Sequence, residues 1–367
     1  INVVFKELDK LIKNNQVWYP HKLMKYCAYN TIAYANIGEH MDINDELYIK
    51  SVKLISEVFG LFKSGIIYAM LPRYIMLLVR MNPRSDYHKI IKVIKKREIL
   101  AEKVEQRRQE RERQKQLKGK FNDSDEVVYY RDYIRGELTK SEVEADMGAL
   151  IGAGTDTTSS SLNFAIVYCA KYQNIQHKIR KELLKCYYKN MTGSVNAGNN
   201  GKTKYFHINW INDLTYFRAF IYETLRCSSV TQFGLPHYTS DDIWITNDDT
   251  HEKLCIPKGT IVSYAIELMH KNTSNEHWKD SSDNFCLQNW INNKTNKFEI
   301  NESLMTFGVG RRNCVGQALA IKEMYIVMAY LLLNYKFLLN DSNIKINTVF
   351  NGVNNIDPPI GVIVQHL

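Results

Sequence analysis

Phe307-Gly308-Val309-Gly310-Arg311-Arg312-Asn313-Cys314-Val315-Gly316 surrounds one cysteine with glycines and arginines, and its reading decides the rest of the chain. Glycine carries no Cβ penalty, so Gly308, Gly310 and Gly316 are expected to let the backbone turn tightly and approach a flat ligand closely. From Gln317 to Tyr335 the sequence is apolar and helix-favouring. That puts Cys314 at or just before a helix N-terminus, where unpaired backbone N–H groups and the helix dipole favour a negatively charged sulfur. The competing reading is a buried structural cysteine in a glycine-rich loop.

A chain of 367 residues can bury a sizeable core as one large domain or two smaller ones. Its seven cysteines are odd in number and contain no CxxC pair, which argues against a disulfide framework or zinc site and fits a reducing compartment. The best apolar window, Ile66 to Val79, holds Pro72 and Arg73 and is too short and broken to cross a bilayer. The formal charge of +9 is concentrated: residues 92–120 carry twelve Lys/Arg against five Glu. That segment reads as a solvated helix ending in a flexible loop. The sharper alternatives are a nucleic-acid patch or an anionic membrane contact. No aromatic residues are interleaved there for base stacking, which weakens the first of these.

Apolar positions recur at helical spacing at Val3, Phe5, Leu8 and Leu11, at Leu54, Val58, Leu61 and Phe62, and from Leu150 through Val167. Leu71-Pro72 marks a break between helices, and 190–204 reads as a polar loop. Beyond residue 230, the stretches 243–245, 254–256, 260–262 and 360–364 look like short strands, with Pro257-Lys258-Gly259 as a turn. The pattern predicts a mainly α fold with a small β region (α+β). Residues 1–230 are mainly helical, 231–300 hold small strands and a meander, and 301–367 hold the cysteine loop, a helix and C-terminal strands.

Two further motifs carry chemistry. Ala153-Gly154-Thr155-Asp156-Thr157-Thr158 interrupts a long apolar helix with material that disfavours helix, Gly154 alone costing about 1 kcal/mol against alanine. Small residues admit a ligand to the backbone, Thr hydroxyls divert the hydrogen-bond ladder, and Asp156 beside Thr157 forms an acid–alcohol pair able to relay protons. A helix N-cap at Thr155 or Asp156 is the plainer alternative. Glu223 and Arg226 are spaced one helical turn apart in the apolar run 217–226, so the pair is expected to be buried and tied into a larger network. The same spacing at Glu105/Arg108 and Glu110/Arg113 lies in the charged segment and carries no such weight.

The cysteine segment, F-x-x-G-x-R-x-C-x-G, resembles the haem-binding segment of the cytochrome P-450 superfamily. Residues 153–158 resemble its central-helix motif, and Glu223/Arg226 its E-x-x-R pair. The resemblance runs in register from about residue 140 to the C-terminus and more loosely from residue 1, implying a P-450-like helical fold around a haem. It makes Cys314 the axial ligand of the iron of haem b, in a loop shaped by Phe307, Gly310 and Gly316. Arg312 then meets a haem propionate, with His237 as a second contact unless it is simply a satisfied surface histidine. Ala153 and Gly154 border the cofactor, Thr157 is the hydroxyl beside bound oxygen, and Asp156 is its proton-relay partner. In the family an arginine from a later segment joins the E-x-x-R pair. Here 285–291 puts Asn289 at that position, and no compensating residue is evident in the sequence.

The implied activity is insertion of one oxygen atom from O2 into a lipophilic small molecule. Electrons would come from NADPH through a separate flavoprotein reductase, because the chain has no Rossmann or flavin motif. The threonine favours monooxygenation over peroxide isomerisation. The family's membrane anchor, first strands, substrate-covering loop and W-x-x-x-R helix are not recognisable, and the first residue is Ile1. A single domain lacking its N-terminal part is therefore expected, derived from a protein at the cytosolic face of the endoplasmic reticulum membrane. Two alternatives stay open. One is a truncated non-catalytic member that binds haem poorly, and the other is a basic helical nucleic-acid-binding protein built on residues 92–120.

Overall fold

The computed structural model describes residues 1–367 apart from 39, 62–63, 65–67, 69–70, 72, 118–135, 137, 192–203, 248–249, 272–277 and 279–284. Val4, Phe5 and Leu8 fall on the buried face of α1 (Asn2–Lys13). The chain continues through α2 (His21–Ile37), α3 (Glu46–Gly60), α4 (Arg73–Met81), α5 (Asp86–Leu117) and α6 (Lys140–Lys171). Then come α7 (Gln173–Met191), α8 (Tyr216–Ser228), α9 (Ile266–Lys271) and α10 (Gln317–Asn334). The fold is mainly helical with small sheets, as the sequence pattern predicts. Residues 192–203 of the predicted polar loop, Pro72 of the predicted break, and the end of the basic segment at 118–120 lie outside the described residues.

The central element is α6. It starts with a capping box: the Glu142 N–H donates to Thr139 Oγ1 at 3.3 Å, and the Thr139 N–H donates to Glu142 Oε2 at 2.8 Å. Reciprocal capping satisfies two donors that a helix start leaves orphaned. It also removes the alternative of a helix start at Thr155 or Asp156, since the helix runs unbroken to Lys171. Its two halves serve different cores. Val143, Met147 and Ile151 pack with Tyr29 and Ile32 of α2, Tyr48 and Ile55 of α3, and Val104 of α5. Leu162, Phe164, Ile166 and Val167 enter the main core with residues of α8, α10 and the C-terminal strands. The basic helix α5 is tied to this body by Lys96–Glu57 at 2.8 Å and Arg107–Asp45 at 2.6 Å.

Among the described residues the strands form antiparallel pairs. β1 (His237–Tyr238) pairs with β4 (Ile261–Val262), and β2 (Ile243–Thr246) with β3 (Lys253–Ile256). β5 (Tyr335–Leu339) pairs with β8 (Val362–His366), and β6 (Thr348–Phe350) with β7 (Asn354–Ile356). The predicted turn is present, with Gly259 at φ 81. The helical run ends one residue earlier than its apolar composition suggests, because Tyr335 opens β5 opposite His366.

Trp18 and Val362 exchange both backbone bonds at 2.8 Å, stapling the start of the chain to β8. A Cβ at Gly361 would lie 2.5 Å from Val17 Cγ1. Gly361→Ala should therefore cost about 1–3 kcal/mol through overpacking. Urea unfolding measures this, and an unchanged midpoint would mean that Val17 moves aside freely.

Candidate active site

The cysteine loop follows from its glycines only in part. Gly308 and Gly310 have φ of 69 and 73, the left-handed region open to glycine at little cost, and they turn the chain through the short 3-10 turn Gly310–Arg312. Gly316 differs from expectation. It is in ordinary helical conformation as the N-cap of α10, and an added Cβ would lie 3.8 Å from Cys314 Sγ. Its missing side chain keeps the space beside the sulfur clear. The Cys314 N–H donates to the Phe307 carbonyl at 2.8 Å, closing the loop, and the Gln317 N–H donates to the Cys314 carbonyl at 3.3 Å. Cys314 is the one exposed cysteine of the seven, all of which are free. Burial pushes the Cys27 thiol up to about 12 and raises Cys169 and Cys227 as well, so these are inert structural thiols.

A cavity of about 1730 Å³ opens in front of the sulfur, lined by Cys314, Phe307, Arg312, Gly316, His237, Ala153, Gly154 and Thr157. It exceeds the roughly 300–1,000 Å³ of an ordinary small-molecule pocket. Val58, Phe59, Leu150 and Ile151 add apolar wall, and Arg311 joins Arg312. A soft sulfur donor, apolar walls for a flat macrocycle and two guanidinium groups for its carboxylates are the donor set that haem requires. The residues present fit it. No group of three or more His, Cys, Asp or Glu able to hold a metal ion occurs among the described residues.

Residues 153–158 are divided between two sides of α6. The Thr157 hydroxyl donates to the Ala153 carbonyl at 2.6 Å, and Thr155, buried, donates to Ile151 at 2.6 Å. These back-bonds let hydroxyl residues sit within the helix. Thr157 lines the cavity. Asp156 is turned toward α2, its Oδ1 2.8 Å from the Lys25 ammonium. Gly154 serves helix packing as well as the cavity, because a Cβ there would meet Ile32 Cγ1 at 3.2 Å.

Glu223 and Arg226 are fully buried. Arg226 donates to the carboxylate through Nε at 2.8 Å and Nη2 at 2.7 Å. Burial lowers the Arg226 pKa, but the bond and charge of Glu223 outweigh it and hold the guanidinium above its usual value. Arg226 Nη1 also donates to the His270 carbonyl at 2.8 Å. The His270 Nε2 accepts the Met305 N–H at 2.9 Å, which leaves Nδ1 to carry the proton toward Ser229 Oγ at 3.0 Å. The imidazole is therefore neutral, and burial followed by the Arg226 charge lowers its pKa to about 4. Through His270 the buried pair is linked to the segment that leads into the cysteine loop.

Sequence reading missed several residues of this site. Lys25, His270 and Trp290 meet their partners only in three dimensions. Glu323 hides in the apolar run of α10, yet it lines the cavity while only 7% exposed. The Thr31 hydroxyl lies 3.0 Å from Glu323 Oε1 and 3.1 Å from the Cys27 carbonyl. One hydroxyl proton cannot serve both acceptors, but a protonated Glu323 donating to Thr31 satisfies all three groups. Burial raises this carboxyl to about 7.

Against known proteins, the family model "Cytochrome P450" matches residues 1–364. The chain is 31% identical over 195 residues to Cytochrome P450 2L1 of Panulirus argus, covering 53% of this chain and 35% of that protein. It is 24% identical over 338 residues to Cytochrome P450 1A1 of Sparus aurata, covering 90% and 60% respectively. To Probable cytochrome P450 508A4 of Dictyostelium discoideum it is 33% identical over 206 residues, covering 55% and 38%. The chain thus spans between about a third and three-fifths of the relatives it matches. With a match across nearly its whole length and an exposed cysteine facing a haem-sized cavity, the chain belongs to the cytochrome P450 family.

Proposed function

We propose that this chain is the haem-thiolate part of a monooxygenase that inserts one atom of O2 into a lipophilic small molecule. The observation that carries the reading is that Cys314 and Thr157, from a loop and a helix far apart in sequence, line one apolar cavity. Haem, when bound, supplies the oxygen activation. The chain's residues do the rest. Cys314 offers its sulfur to the iron from the loop that leads into α10. Arg312, with Arg311 and His237 on the same cavity, would neutralise the propionates. Glu223 and Arg226 keep the loop in position.

Thr157 holds a hydroxyl at the cavity wall, and Asp156 sits behind it, partly exposed and paired with Lys25. The role of Asp156 as relay partner of Thr157 is carried over from the family resemblance. Electrons are assigned to NADPH through a separate flavoprotein reductase. Family membership supports that assignment. No helix of the described residues is long and apolar enough to cross a membrane. Association with the endoplasmic reticulum is part of the same proposal, supported by family resemblance.

The test is spectroscopic. The chain loaded with haem, reduced and exposed to carbon monoxide should give a thiolate-type Soret band that Cys314→Ser abolishes. Failure to take up haem would favour a non-catalytic member of the family. A band that survives in the serine variant would remove Cys314 as ligand. Thr157→Ala should leave that band intact while uncoupling electron consumption from product formation.

A further inference from the structure

Asn289 stands where the resemblance calls for an arginine, so the buried Glu223 carboxylate must draw its donors from elsewhere. It receives two bonds from Arg226, at 2.8 and 2.7 Å. A third comes from the Cys286 backbone N–H at 2.7 Å, and a fourth from the indole N–H of Trp290 at 2.8 Å. A carboxylate has about four lone-pair sites, and these four short bonds, with longer contacts from the Asn289 amide and the Cys227 thiol, saturate it. The Asn289 amide lies farther off, 3.3 and 3.4 Å from the two oxygens.

We infer that Trp290 is a positioning residue for the cysteine loop, its indole N–H holding Glu223 where the family uses an arginine. Trp290 is fully buried, with the rings of Tyr222 and Trp278 at 5.4 and 5.7 Å fixing its plane. Trp278 in turn lies 5.2 Å from the Arg226 guanidinium. From the pair, the chain of bonds runs through the His270 carbonyl and ring to the Met305 N–H. Two residues on is Phe307, whose carbonyl holds the Cys314 N–H. The effect on haem rests on the reading of Cys314 as ligand, whereas the effect on stability does not.

The experiment compares Trp290→Phe, Asn289→Ala, Asn289→Arg and the double variant Trp290→Phe/Asn289→Arg in the full chain. Thermal unfolding and the carbon monoxide spectrum are both recorded. Trp290→Phe should lower the unfolding midpoint by about 4 °C, a shift expected from losing a charge-assisted bond, and Asn289→Ala by less than about 1 °C. Asn289→Arg alone should not raise the midpoint. In the Trp290→Phe background it should recover at least half of the loss, a rescue that a merely space-filling tryptophan would not show. If haem is bound, the thiolate-type band should weaken and recover in the same order. A Trp290→Phe midpoint equal to wild type, or equal losses in Trp290→Phe and Asn289→Ala, would overturn the inference. So would a failed rescue. A chain that never binds haem but follows the stability pattern would leave the inference standing and remove the proposed function.

Discussion

Arg226→Leu should lower the unfolding free energy by about 3–5 kcal/mol at neutral pH, the cost of leaving a buried charge without its partner. Both members of the pair are fully buried, so water cannot take the place of the guanidinium. The donors remaining on Glu223, from Cys286, Asn289 and Trp290, are all neutral. They satisfy lone pairs without supplying charge. Glu223→Leu/Arg226→Leu should be more stable than Arg226→Leu, because removing both ions also removes the desolvation cost that each carries. Equilibrium urea unfolding of the two variants gives both numbers. A loss below about 1 kcal/mol in the single variant would falsify the claim that this pair is isolated from solvent.

Glu323→Gln should be about 3 kcal/mol more stable than wild type above pH 7, and it should uncover a pH dependence that the wild type conceals. The Glu323 carboxyl ordinarily titrates near 4.5 but is raised to about 7 in the fold. Between those values the folded state holds a proton that the unfolded state has lost, so stability falls as pH rises. His270 does the opposite: its ordinary value of 6.5 is lowered to about 4. In that window the unfolded state carries the extra proton, and stability rises with pH. From about pH 4.5 to 6.5 the two slopes, each about 1.4 kcal/mol per pH unit, oppose and nearly cancel. Glutamine keeps a donor for Thr31 and does not titrate. Its variant should therefore gain at least about 3 kcal/mol of stability between pH 4 and 6.5, where wild type shows only the smaller rise left by His21, whose pKa burial also lowers. Denaturation series at four pH values decide the matter. Parallel curves for the two proteins would show that Glu323 is ionised in the fold.

What the sequence disclosed was what local geometry dictates. The spacing from Phe307 to Gly316 announces a cysteine held at a helix start because φ at Gly308 and Gly310 and the N-terminus at Gln317 are properties of neighbouring residues. The long helix containing Gly154 was legible from the apolar positions on both sides of it. The purpose of Gly154 was only half legible, since its contact with Ile32 joins helices that lie more than a hundred positions apart. Asn289 looked like a defect in a one-dimensional pattern. It ceased to be one once the Trp290 indole and the Cys286 N–H were found on the same carboxylate. Strands β5 to β7 escaped because their burial is set by long-range pairing, as in Tyr335 with His366. Tyr335–Leu339 is as apolar as the helix before it, whereas Thr348–Phe350 and Asn354–Ile356 are too short and mixed to show an alternation.

The exposure of Cys314 has a practical side. Six of the seven thiols are wholly or partly buried, so an alkylating reagent added to the haem-free chain has one preferred target. The same openness admits hydrogen peroxide, which takes an accessible cysteine through the sulfenic to the sulfinic stage, beyond ordinary reduction. Protein prepared without haem would then age at the one atom it requires, while its helices and sheets remained intact. Mass spectrometry of Cys314 would distinguish a preparation that cannot bind haem from one that no longer can.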